Sequence, residues 1–74
     1  MKNWVDIIVP YANADKFENY PRTYDDPHHK LYRQTHYLDK NNRIFVMFSF
    51  FSNSINDRNL IVASVKVFGG GIDH

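Results

Sequence analysis

The sequence predicts a small antiparallel sheet of about four strands with at most one short helix, α+β or all-β in class, in one globular domain over residues 1–74. Three observations carry this expectation. β-Branched and aromatic residues gather in short alternating runs, and Asn/Asp/Ser clusters and prolines separate those runs. A chain of 74 residues supplies one core and no more.

The first run is residues 3–9, where Val5, Ile7 and Val9 alternate with Trp4, Asp6 and Ile8 until Pro10 ends the strand. Tyr11 to Pro27 is irregular and punctuated by Pro21 and Pro27. Within it, Asn13 as a cap and Phe17 and Tyr20 three residues apart predict a short helix near 13–20. Residues 30–38 admit two readings. Asp26-Pro27 is a helix start signal, whereas Tyr32, Thr35 and Tyr37 favour a strand and Asp39 to Asn42 resembles a hairpin turn. The strand is the reading adopted. Residues 43–51 carry the strongest strand pattern in the chain. The polar stretch 52–59 then leads to a fourth strand over 60–68, on the alternation of Ile61, Ala63, Val65 and Val67. Gly69-Gly70-Gly71 ends it, and residues 69–74 read as a flexible tail.

The third strand is apolar on both faces, with Ile44, Val46, Phe48 and Phe50 on one and Phe45, Met47 and Phe51 on the other. A sheet wet on one side should alternate cleanly instead. The second face is therefore expected to meet either a second copy of the chain, through Phe45, Met47 and Phe51, or the Tyr11–Pro27 segment folded over it.

Charge is unevenly spread. Residues 1–27 hold Lys2, Lys16 and Arg22 against Asp6, Asp15, Glu18, Asp25 and Asp26, a net of −2. Residues 28–43 hold Lys30, Arg33, Lys40 and Arg43 against Asp39, a net of +3. Basic and aromatic side chains interleave there, and Lys30, Tyr32, Arg33, His36, Tyr37, Lys40 and Arg43 form the candidate binding stretch. Such a surface suits a protein interface rich in Tyr and Arg. It also suits a phosphate backbone with stacked bases.

Catalytic chemistry is hard to find. There is no cysteine, which excludes disulfides and thiolate metal sites. His28, His29 and His36 lack the spacing of a compact chelate, and no serine sits in a nucleophile-elbow context. The glycine run cannot open a helix, so it is no phosphate loop. No apolar run approaches the ~20 residues that span a bilayer, and no leader pattern follows Met1.

The expectation is a cytoplasmic, non-enzymatic binding protein without metal or cofactor: an adaptor, inhibitor or regulator that docks on a protein partner and self-associates. Small domains of this kind are common among the products of bacteria and their mobile elements. A nucleic-acid-binding protein using residues 30–43 is the first alternative, and an oligomer holding a small ligand between subunits is the second. If the histidines are solvated, folding needs no metal. A thermal melt in the presence of EDTA should then match the melt in its absence, and a drop of many degrees would make His28, His29 or His36 a ligand candidate.

Overall fold

Period-two alternation fixes which side of the first strand is buried, and the rest of the chain assembles on that side. The computed structural model describes residues 3–38 and 41–73, with the side chains of residues 35–37 left aside. The elements run β1 (Trp4–Pro10), α1 (Tyr11–Asn19), β2 (Lys30–Leu38), β3 (Ile44–Phe51), α2 (Ile55–Val67) and β4 (Gly71–Ile72). The four strands form one antiparallel sheet in the order β2-β3-β1-β4. This element order and strand order are those of the split β-α-β, or ferredoxin-like, arrangement. The expected small α+β fold around a four-stranded antiparallel sheet is therefore observed.

The fourth strand is not where the alternation placed it. Residues 60–68 belong to α2, with Phe68 as its C-cap, so the fold holds two helices rather than at most one. Ile61 and Val65 are fully buried one turn apart, while Val67 is 82% exposed. A strand would have put Ile61, Ala63, Val65 and Val67 on one face; a helix sorts them by a period of 3.6. The ends of α2 are strongly specified. The Ser54 hydroxyl accepts from the Asp57 amide at the N-terminus. At the other end Gly69 takes a φ of 84°, its amide donates to the Lys66 carbonyl, and the Gly70 amide donates to that of Val65. Those two bonds are a Schellman stop. Gly70 lies so close to β1 that a Cβ there would sit 1.9 Å from the Ile8 carbonyl oxygen. The stretch read as a flexible tail thus carries β4, which pairs with Ile7 and Ile8, and the Asp73 amide donates to the Asp6 carbonyl.

The first helix is placed two residues early. α1 starts immediately after Pro10, whose fixed φ ends the strand, and Asn13 does not cap it. Instead the Asn13 side-chain Nδ2 donates to the Phe68 carbonyl at 2.9 Å, tying α1 to the end of α2. The strand reading of 30–38 holds, and Asn42 in the hairpin adopts the left-handed φ of 63° that asparagine tolerates.

Both helices cover the same face. Ala14 and Phe17 of α1 and Ile61 and Val65 of α2 pack with Ile7, Val9, Val46, Phe48 and Phe50 in one core. Phe17 meets the Phe48 ring at 5.1 Å and the Phe68 ring at 5.8 Å. The segment 20–29 between α1 and β2 adds Tyr24, whose ring lies tilted against Phe50 at 5.4 Å and His29 at 4.1 Å.

This segment is held by a buried carboxylate. Asp57 is 2% exposed and accepts from the Asp25 amide at 2.7 Å, the Asp26 amide at 2.9 Å and the Ser52 hydroxyl at 2.8 Å. Asp26 in turn accepts from the amides of His28 and Asn53, both at 2.8 Å. Burial alone pushes the Asp57 carboxyl up, but the Asp25 and Asp26 amides and the Ser52 hydroxyl outweigh it and hold the pKa below the ordinary value. Asp26 is lowered too, chiefly by the Asn53 and His28 amides. A carboxyl with a lower pKa folded than unfolded stabilises the protein above its unfolded pKa, and that stability is lost as pH falls through the folded pKa. The melting temperature should therefore be flat above about pH 5 and fall steeply below about pH 4. Asp57→Ala, which deprives the buried Asp26 amide, the part-buried Asp25 amide and the Ser52 hydroxyl of their acceptor, should lower it by about 10 °C or more at neutral pH. Calorimetry across pH checks both outcomes.

Candidate functional site

With both helices on one side, the opposite face of the sheet has no covering element among the described residues. Register assigns its residues. Trp4 lies opposite Phe51, Asp6 opposite Ser49 and Ile8 opposite Met47. From β2, Lys30 lies opposite Phe51 and Tyr32 opposite Ser49. Directly opposed residues point to the same side of an antiparallel pair, so these side chains share one surface.

An aromatic cluster forms at one end of it. Trp4 is 45% exposed and Tyr32 46% exposed. Their rings stack at 5.9 Å with an interplanar angle of 22°, and Trp4 also meets Phe51 at 5.2 Å. Trp4 and Tyr32 stand on strands separated by β3, and the small side chain of Ser49 leaves the space in which they meet. The Ser49 hydroxyl donates to Asp6 at 2.8 Å, so the polar pair on this face is internally satisfied. Farther along, Met47 is half-buried and Phe45 is buried, between its neighbour Pro10 and the Arg43 guanidinium 5.4 Å above its ring.

The two residue sets read from the sequence therefore merge in part. Lys30 and Tyr32 share the open face with Phe45, Met47 and Phe51, and Arg43 borders it. Arg33 does not. It turns to the helix side, where its guanidinium lies 5.3 Å from the Phe48 ring, 2.7 Å from Asp15 and 2.8 Å from Glu18. The Glu18 hydrogen bond, with Asp15 adding to it, raises its pKa. His36 and Tyr37 are placed by main-chain register opposite Val46 and Phe45, and Lys40 lies outside the described residues. Sequence reading missed Trp4 as a surface residue. The signal was available: Trp4 alternates with Val5, Ile7 and Val9, so burying those three turns Trp4 outward.

No group of three or more histidine or acidic side chains among the described residues could hold a metal ion. No helix among them is long and apolar enough to cross a membrane. Compared with known proteins, the chain matches no family model, no curated protein and no solved structure. The split β-α-β connectivity accordingly rests on strand order alone, and a fold shared by many functions assigns none. Function has to be argued from the surface.

Proposed function

We propose that the protein is a small binding module that docks on a partner protein through the helix-free face of its sheet. The observation that carries this reading is the half-exposed Trp4–Tyr32–Phe51 cluster on a face that no element covers among the described residues. Aromatic side chains give large contact area at low entropic cost and dominate the binding energy of protein interfaces. The outer edge of β2 adds a second means of attachment. It ends the sheet with nine residues of strand, whereas the other edge strand, β4, has two.

The charge pattern favours protein over nucleic acid. Phosphate tracking needs a row of cations. Here Arg33 is neutralised on the opposite side by two carboxylates, Asp6 stands on the open face, and Lys30 and Arg43 lie at opposite ends of the β2–β3 ladder. What remains is an apolar and aromatic centre with a polar rim, the anatomy of a protein interface.

Two measurements test this reading. Capture from a nuclease-treated lysate should retain a protein that is lost with Trp4→Ala or Tyr32→Ala, each costing about 2 kcal/mol, and kept with Arg33→Ala. Retention only without nuclease, weakened by salt and by Lys30→Ala, would favour nucleic acid instead. Without its target the same face should pair with a second copy of the chain at micromolar concentration, and Met47→Lys should return it to monomer. Sedimentation velocity reads this directly, and a strict monomer at millimolar concentration would set self-association aside.

A further inference from the structure

On the helix side, away from the docking face, the segment 20–23 and α2 enclose a groove of about 470 Å³, within the range of small-molecule sites. Its walls are Tyr20, Pro21, Leu60, Ala63, Val67 and Phe68, and its polar lining is Arg22, Thr23 and Ser64. Tyr20, Leu60 and Val67 are all exposed, so the apolar wall is wet.

Arg22 is fixed before any ligand arrives. Its Nε and one terminal nitrogen donate to the Ser64 hydroxyl at 2.9 and 2.7 Å, and the other terminal nitrogen donates to the Tyr20 carbonyl at 3.3 Å. The guanidinium lies 4.4 Å from the centre of the Phe17 ring. It is a clip that fastens the segment to α2, yet its charge is unanswered. Arg33 is paired with Asp15 and Glu18, whereas Arg22 forms no ion pair among the described residues. The nearby Tyr24 phenol is raised in pKa, chiefly by burial, so it stays neutral and offers no counter-charge.

Ser64 is constrained in the same sense. A hydroxyl has two lone pairs, and Arg22 occupies both, so Ser64 has only its proton to offer. The polar floor of an apolar groove thus presents a fixed cation and a donor. A second groove on the far side of Arg22 also contains Glu18, whose carboxylate would repel an anion.

We infer that the groove between residues 20–23 and α2 binds a small apolar monocarboxylate, its carboxylate on Arg22 and Ser64 and its hydrocarbon body on Leu60, Val67 and Tyr20. This does not depend on the docking role of the sheet face. A guanidinium–carboxylate contact is charge-assisted, and removing its charge costs tenfold or more in affinity.

Backbone-amide NMR of the intact chain tests the inference with octanoate and phenylacetate, each beside its primary amide. The acids should bind at millimolar concentration or tighter and shift residues 20–23 and 60–68, and the amides should bind at least tenfold more weakly. Arg22→Gln should abolish the difference between acid and amide. Because Arg22 also fastens the fold, Val67→Glu serves as the second variant: at a position 82% exposed it leaves the core intact. Both ligands lose an apolar contact there but only the acids are repelled, so it should weaken the acids more than the amides and narrow the gap between them. Equal binding of acid and amide, shifts confined to the open sheet face, or no binding up to about 10 mM would each overturn the inference. So would binding of an N-acetylated peptide ending in a free leucine carboxylate when both small acids fail, a result pointing to a protein tail.

Discussion

The buried carboxylate of Asp57 is the constraint on which the arrangement turns. A carboxylate is tolerated at 2% exposure only if donors surround it, and Asp57 finds them in two successive backbone amides of one loop and the hydroxyl that follows β3. Those bonds join the end of the 20–26 loop to the exit of β3 and the first turn of α2, segments 31 and 32 residues away from it at the Asp26 and Asp25 contacts. Ser54, which caps α2, and Ser52, which also accepts from the Ser54 amide, belong to the same cluster. Once Asp57 is satisfied, the loop has no freedom to cross the sheet. Its aromatic Tyr24 is laid on Phe50, on the face that α2 already occupies.

The open face follows from that choice. The sequence offered a second copy of the chain or the Tyr11–Pro27 segment as cover for the second face, but the fold lays that segment on the same side as α2, a helix the sequence reading did not foresee. The other face is left to protect itself. Phe45 is tucked beside Pro10 and beneath Arg43, while Ser49 and Asp6 satisfy one another. Trp4 stacks on Tyr32 and tilts against Phe51, which reduces, without removing, their exposure. A surface arranged this way stays folded alone and still holds contact area in reserve, which is the physical basis for reading it as a docking face.

How much of this was legible depends on the length of chain over which each signal acts. β1, β2 and β3 were readable because period-two patterns and the Asn42 turn are local. The two-sided apolarity of β3 likewise announced a face in need of a partner. α2 was misread because Ile61, Ala63, Val65 and Val67 alternate by accident of composition, and β-branched residues weighted the wrong period. The correcting signals lay at its ends, in Ser54 three residues before Asp57 and in Gly69 after Phe68. They outrank the interior pattern because a helix needs its termini satisfied. The Arg22–Ser64 contact spans 42 residues and left no trace in the sequence.

The basic stretch 28–43 shows why charge counted along a chain differs from charge on a surface. In an extended strand, neighbours in sequence are divided between two faces, so Lys30 and Arg33 part company at once. A shift in register between Arg33 and Thr35 interrupts the alternation further. Arg33 then finds Asp15 and Glu18 on α1, which draws part of the acidic N-terminal segment and part of the basic segment into one ion-pair cluster. The apparent opposition of an acidic and a basic region is thereby spent in part within the molecule. The side chains left pointing outward on the open face are mainly aromatic and aliphatic, and they, rather than net charge, decide what that face can recognise.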